Sequence, residues 1–505
     1  MAHRGPSAIG SQSIDAASFS FEKKTARLLL DEFEAVWNQS REAFAQERTF
    51  QRAKQLALSS LVCLGRHTVT GMLTTGGRQF QDWSADYRLF SKERIDLDHL
   101  FDGIRTGVLE HLDKDAPVVV AMDDTLLRKT GPKASGVTWM RDPLGPPFQV
   151  NLVRGQRILQ MSILLPGEGF PGSARAIPID FFHCPKPQKP KKNAQEEDWN
   201  NYRAALHVLN LNRQAVRRVK QLRQHLDTEG GHKRQLIMVA DGKFSNKTIL
   251  KNLPEKTTLI ARVRKDTRLY HLPEASTGRG RKRVYGDLAP TPEELRQDKE
   301  SPWETVSVFA TGRFHDFKVK TLSPLRWRTA GARFDLRMVV IAPLAYRPRK
   351  GSPLLYRKPA YLICTDPDLS LEEIIQYYVW RWDIEVNFRD EKTILGAGQA
   401  QVRCEPSVEL VPALTTAAYG ALLLAAHKTF GPKKTPGMIP APKWRNQSKK
   451  QRASIMDLIN HLRAEMWAKS MGVTNFSGFV TQRKEEQKPE KFIPHLPSAI
   501  VYSQA

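Results

Sequence analysis

The chain has 505 residues, enough for several domains at roughly 100–200 residues each, which argues against one small binding module. Lys and Arg total 78 against 53 Asp and Glu, a formal net charge of +25, while 40% of residues are hydrophobic, so a packed core is available and a basic disordered tail is excluded. Such an excess on a globular chain favours a polyanionic partner, nucleic acid ahead of an anionic membrane surface, because each neutralised phosphate releases condensed counterions.

In chain order, the N-terminal segment MAHRGPSAIGSQSIDAASFSF lacks the apolar core of a secretory signal, which predicts an intracellular, cytoplasmic protein. Residues 20–110 read as mostly helical, with charged and apolar residues interleaved through FEKKTARLLLDEFEAVW and LDHLFDGIRTGVLEHL. Within them, ALSSLVCLGRHTVTGMLTTGG reads as two short helices around a turn near Gly65. A helix-turn-helix there would offer Arg66, His67, Thr68 and Thr70 to phosphates or base edges; two packed helices without DNA contact are an equal reading.

From Ala116 the pattern changes. PVVVAM is a buried strand that ends at Asp123-Asp124-Thr125, and FQVNLVR and RILQMSILLP follow as strands with Gly155 between them as in a hairpin. CPKPQKPKKNAQ is a solvated linker. EEDWNNYRAALHVLNLNRQAVRRVKQLRQHL has its apolar residues at mostly helical spacing and predicts one long amphipathic helix. QLIMVA is a second buried strand that ends in acid, at Asp241.

Between Lys243 and Tyr361 the runs TLIARVR, ETVSVFA, HDFKVKTL, FDLRMVVIA and AYLICT predict an inserted sheet with basic loops. SLEEIIQYYVWRWDIEVNFRDEKTIL resumes helix, with Ser370 as N-cap. Further helices follow, broken by a Pro/Lys-rich stretch at 431–451, and a Lys/Glu/Pro-rich tail closes the chain. The longest apolar stretch, AAYGALLLA, is too short to cross a bilayer, so no membrane association is expected. Cys63, Cys184, Cys364 and Cys404 stand singly, which gives a zinc site or disulfide framework little support.

Two acids at the ends of buried strands suit two-metal phosphodiester chemistry, in which carboxylates from separate elements hold a pair of Mg²⁺ ions roughly 3.5–4 Å apart. A helix can deliver the third. Tyr378, Arg381, Glu385 and Lys392 are spaced by three, four and seven, placing them within a wedge of about 60° on one helix face. Arg381 and Lys392 could then serve a phosphate and Tyr378 donate a hydrogen bond; a solvated face with an ordinary Arg–Glu pair is the alternative.

The run from Tyr378 to Lys392 also matches, without a gap, the Y-x2-R-x3-E-x6-K signature of one branch of bacterial insertion-sequence transposases, the DDE cut-and-paste type. VVVAMDDTLLRKTG resembles the first-acid motif of that family, LIMVADGKF its second, and NLVRGQRILQ the strands between them, so the likeness spans about residues 116–400. It implies an α/β protein with a ribonuclease H-like catalytic core interrupted by a β-rich insertion and flanked by helical N- and C-terminal regions. The boundaries expected are 1–110 for a helical DNA-binding region, 111–244 for the first part of the core, 245–366 for the insertion, 367–400 for the catalytic helix and 401–505 for the C-terminal helices and tail.

The resemblance implies Asp123, Asp241 and Glu385 as catalytic metal ligands. For the first acid, an Asp-x-Ser/Thr pattern selects Asp123, whereas a gap-free fit of the strand can select Asp124; Asp123 is preferred because it directly follows the apolar run. Tyr378, Arg381 and Lys392 are implied to grip the phosphate of a flipped base, and Tyr361 stands where a stacking aromatic would be, with an ordinary strand tyrosine as the equal alternative. The cofactor implied is two Mg²⁺ ions, with Mn²⁺ as substitute. The implied partners are duplex DNA, namely the element's terminal inverted repeats and target DNA, with a homodimer in the DNA complex. A catalytically inactive DNA-binding descendant is the alternative, and a metal nuclease without strand transfer a distant third.

Overall fold

The computed structural model describes residues 28–502 apart from 132, 143–150, 168, 230, 232, 275–280, 433–451, 468–469 and 471–495. The sequence expectations for the first 27 residues, most of the Pro/Lys-rich break and most of the tail lie outside the described residues.

The strands are β1 (Val118–Arg128), β2 (Thr138–Arg141), β3 (Leu152–Pro166), β4 (Ala174–His183), β5 (Leu236–Ala240), β6 (Thr257–Arg262), β7 (Tyr270–His271), β8 (Glu304–Ala310), β9 (Arg313–Trp327), β10 (Gly331–Ile341), β11 (Ala345–Tyr346), β12 (Leu355–Tyr356) and β13 (Ala360–Cys364). Eleven of them form one mixed sheet in the order β2-β3-β1-β5-β6-β13-β10-β9-β7, with β4 also on β3 and β8 on β9. β1, β5 and β6 run parallel at its centre, and their near-continuous apolar runs VVVAM, LIMVA and TLIA suit strands buried on both faces.

Strand alternation divides the core into two layers. Val118, Val120 and Met122 join the larger cluster, with the N-terminal helices, helix Leu211–Thr228 and helix Glu405–Phe430. Val119 and Ala121 join the smaller one, with Ile374, Ile375, Trp380, Ile384 and Phe388 of helices Leu371–Trp380 and Trp382–Thr393.

Several sequence expectations change. β1 does not stop at the acids but continues to Arg128, held by β3 along its whole second half. Gly155 makes no hairpin; it lies inside β3 opposite Arg128, where an added Cβ would come within 2.5 Å of the Leu127 carbonyl oxygen. The single long helix is two, Glu196–Val208 and Leu211–Thr228, because the Asn210 side chain caps the second by accepting from Asn212 N at 3.0 Å and Arg213 N at 3.2 Å. Most strands after Lys243 join the central sheet: β6 lies parallel beside β5, and β13, β10 and β9 extend the same sheet outward, while β11 and β12 pair only with each other.

The apolar stretch AAYGALLLA also proves to be part of a longer element. Helix Glu405–Phe430 has 26 residues and is apolar enough by composition to cross a membrane, yet 94% of its most apolar window is buried inside the fold, as in a core helix. Tyr419 in its middle is buried and hydrogen-bonded, tying it to helix Trp382–Thr393.

Candidate active site

Register brings the two strand-end acids together. β1 and β5 pair in parallel through Met122 and Ala240, so Asp123 and Asp241 are the next residues of adjacent strands. Asp123 has the parity of Val119 and Ala121, and Asp241 that of Ile237 and Val239; all four belong to the layer covered by helices Leu371–Trp380 and Trp382–Thr393. Asp124 has the opposite parity and is ion-paired with Lys243. Geometry therefore separates the two neighbouring aspartates: Asp123 shares its face with Glu385, and Asp124 does not.

Helix Leu371–Trp380 starts in a capping box, with Glu373 N donating to Ser370 Oγ at 3.2 Å and Ser370 N to Glu373 Oε2 at 3.1 Å. The one helix expected from Tyr378 to Lys392 is two segments that meet at Arg381. Arg381 keeps helical dihedrals (φ −49°, ψ −32°) and is buried, and its Nη1 lies 3.3 Å from Asp123 Oδ2 and 3.8 Å from Glu385 Oε1. It is not the solvated partner of an ordinary surface pair. Its guanidinium carbon also stands 5.6 Å from the centroid of the Tyr378 ring. About two turns beyond Glu385, Lys392 donates to Thr125 Oγ1, again on the Asp123 face of β1.

The electrostatics follow from burial. Desolvation pushes the Asp123 carboxyl up to about 6; Arg381 opposes this, and the Asp124 and Glu385 charges add to it. Burial lowers Lys392, with Glu391, Glu385 and Asp123 pulling the other way. Burial raises the Tyr378 hydroxyl, which Arg381 and Arg262 oppose and Asp241 reinforces, so Tyr378 sits among those three charges.

Three carboxylates with hard oxygen donors on one face fit a divalent cation by chemistry. Among the described residues no group of three acids, His or Cys is gathered closely enough to hold an ion, and Arg381 supplies the positive charge between Asp123 and Glu385.

A buried polar network fixes the helix that carries Glu385. Gln160 Nε2 donates to Glu391 Oε1 at 3.0 Å and Ser162 Oγ to Asn387 Oδ1 at 3.0 Å, both from β3. Asn387 Nδ2 donates to the Ala176 carbonyl at 3.1 Å, and the Tyr419 hydroxyl donates to Asp390 Oδ2 at 3.1 Å. Glu391 is fully enclosed, and burial raises it to about 8. Sequence reading missed Gln160, Asn387, Asp390 and Glu391, although three of them lie within the quoted motif, because nothing in spacing shows which polar helix residues turn inward. Thr125 was legible only as part of the acidic run.

Two expected DNA contacts are not available where the structure places them. His67 is 4% exposed, and burial pushes it down to about 4. Arg66 beside it is exposed, and Thr68 caps the short helix Val69–Thr75 by accepting from Gly71 N at 3.1 Å. Tyr361 is 7% exposed and lies in the layer opposite Glu385, where its hydroxyl donates to Glu293. Its neighbours Leu362 and Cys364 have the parity that faces helix Leu371–Trp380, so alternation along β13 turns the Tyr361 ring away from the acids.

A family model described as a DDE superfamily endonuclease matches residues 41–333, more than half of the chain. It includes Asp123 and Asp241 and ends before Glu385. No curated protein matches the chain.

Proposed function

Because the chain belongs to the DDE superfamily of endonucleases, we propose that it is the DNA transposase of a bacterial insertion sequence, of the branch with the Y-x2-R-x3-E-x6-K signature. It cleaves DNA at the element's terminal inverted repeats and joins the freed 3′ hydroxyls to target DNA, acting as a homodimer on paired ends in the cytoplasm, at the nucleoid. The mixed α/β sheet, with an antiparallel β3 and parallel β5 and β6 around β1, is compatible with a ribonuclease H-like core.

The observation that carries the reading is the register of Met122 with Ala240, which sets Asp123 beside Asp241 under the helix bearing Glu385. Asp123, Asp241 and Glu385 would hold two Mg²⁺ ions, with Mn²⁺ able to replace them, and the bound ions would supply Lewis-acid activation of the attacking oxygen and charge stabilisation of the leaving one. The chain's own part is positional and electrostatic. Gln160 and Ser162 hold Glu391 and Asn387, and so set the height of Glu385 over β1. Lys392, tethered to Thr125, offers a fixed positive charge to the reacting phosphate as negative charge builds on it. Arg381 is placed to do the same from the other side of Glu385, and Tyr378 to donate a hydrogen bond to a non-bridging oxygen. Lys243 holds Asp124 away from this face.

The test is end cleavage and strand transfer by the full chain on a labelled duplex carrying the element's terminus, with Mg²⁺ or Mn²⁺. Nicks at the terminus that vanish in Asp241→Asn support the reading. Absence of cleavage with both metals removes it.

A further inference from the structure

Five exposed cations gather in a place the chemistry above does not use. Helices Leu211–Thr228 and Lys247–Asn252 pack side by side on the sheet face opposite Glu385, and between them runs an open groove of about 480 Å³. Arg213, Arg217 and Lys220 line one wall and Lys247 and Lys251 the other; Val216 and uncharged polar side chains complete it, with no acid. All five cations are exposed.

The same helix treats its inward cations differently. Arg218 turns into the core onto Asp180 and reaches Asp98 at 3.1 Å, and Arg223 bonds the Arg234 carbonyl at 2.7 Å and Asp227 at 2.7 Å. Neutralisation is thus complete on the packed side, while on the groove side positions i, i+4 and i+7 carry charge that no described residue offsets. Arg213 to Lys220 spans about 10 Å of helix, close to the axial length of three base pairs.

Chain direction aligns this groove with the acids. Helix Leu211–Thr228 leads directly into β5 and so runs back against it, bringing the Arg213 end to the Asp241 end of the strand. Helix Lys247–Asn252 leaves from that same end, capped by Asn246 a few residues after Asp241. The mouth of the groove therefore opens at the edge of the sheet where the acids stand.

We propose that this groove is a second DNA-binding surface, which grips the phosphate backbone of duplex DNA running past the acids and around the sheet edge without reading its sequence. Exposed cations at the ends of flexible stems, none of them ion-paired with a described residue, suit phosphates. The proposal rests on the DNA-cleaving reading for the path of the DNA.

The experiment compares the full chain with a variant carrying Arg217→Ala, Lys220→Ala and Lys251→Ala, by fluorescence anisotropy on labelled duplexes at several salt concentrations without divalent metal. A control variant loses the same charge at Lys299, Lys318 and Arg328, around β8 and β9. Losing three phosphate contacts should reduce the slope of log affinity against log salt by about 2.7, equivalent to roughly a hundredfold weaker binding near 0.15 M salt. Lengthening the duplex beyond the cleavage point should strengthen binding by the native chain and the control and leave the groove variant unmoved, with melting temperatures alike in all three. An unchanged slope in the groove variant, or an equal loss in the control, overturns the proposal. Cleavage is scored separately: a reduced slope in a chain that never cuts DNA keeps the groove and removes the nuclease reading, whereas normal cleavage with an unchanged slope does the reverse.

Discussion

Replacing Glu391 with Gln should make the protein more stable at neutral pH, by an amount that depends on pH in a defined way. Glu391, on helix Trp382–Thr393, is buried against β3, and its carboxyl accepts from Gln160 Nε2 at 3.0 Å. The Gln160 Oε1 atom is buried with no donor, so a proton on Glu391 supplies the group the pair lacks. Burial raises the carboxyl from 4.5 to about 8 on folding, and the Gln160 hydrogen bond opposes this only in part. A carboxyl held protonated in the folded state contributes its full stability at low pH and loses it as pH rises, here between 4.5 and about 8, because the unfolded chain gains ionisation that the folded chain is denied. At pH 7 the difference is about 2.5 units at 1.36 kcal/mol each, or about 3 kcal/mol. Gln keeps the shape, offers a donor to Gln160 and does not titrate. Urea unfolding of both chains from pH 4.5 to 8 should show equal stability at the acid end and a gap that widens to about 3 kcal/mol at pH 7. A gap that is constant across this range, or a Gln variant less stable at pH 7, would refute the argument that Glu391 is protonated in the fold.

Asp123→Asn, Asp241→Asn and Glu385→Gln should each abolish end cleavage while retaining duplex binding, and a chelator should do the same reversibly on adding Mn²⁺; a cleaving Asp123→Asn with a silent Asp124→Asn would move the site to the other face of β1. Lys392→Ala should slow single-turnover cleavage more than tenfold, since a charge-assisted phosphate contact is worth about 1.5–3 kcal/mol. Arg381→Ala should slow it as well and also lower the melting temperature above pH 6, because Asp123 would lose the cation that opposes its raised value of about 6; unchanged melting there would show that the pair at 3.3 Å is not a structural contact. Arg66→Ala should weaken end binding without a change in melting, whereas His67→Ala should lower melting and spare binding, given that His67 is buried; the opposite pattern would restore His67 as a DNA contact.

Much of this protein is local enough to be read from its sequence. The apolar runs that end in Asp123 and Asp241 identify buried strands whatever surrounds them, and the period of Tyr378, Arg381, Glu385 and Lys392 puts them on one side of a helix because backbone geometry sets that period. Ser370 followed by Glu373 marks the helix start for the same reason. Other features depend on what lies across from a residue, and no local rule contains that. Gly155 reads as a turn, yet it is a strand residue because Leu127 crosses too closely for a side chain. Tyr361 and His67 are residue types suited to DNA, but alternation along β13 and enclosure by neighbouring elements bury them. The sequence favours Asp123 but leaves Asp124 as its alternative. Only the pairing of β1 with β5 decides which of them shares a face with Asp241 and Glu385, because in a pleated strand one step in register moves a side chain to the other side of the sheet.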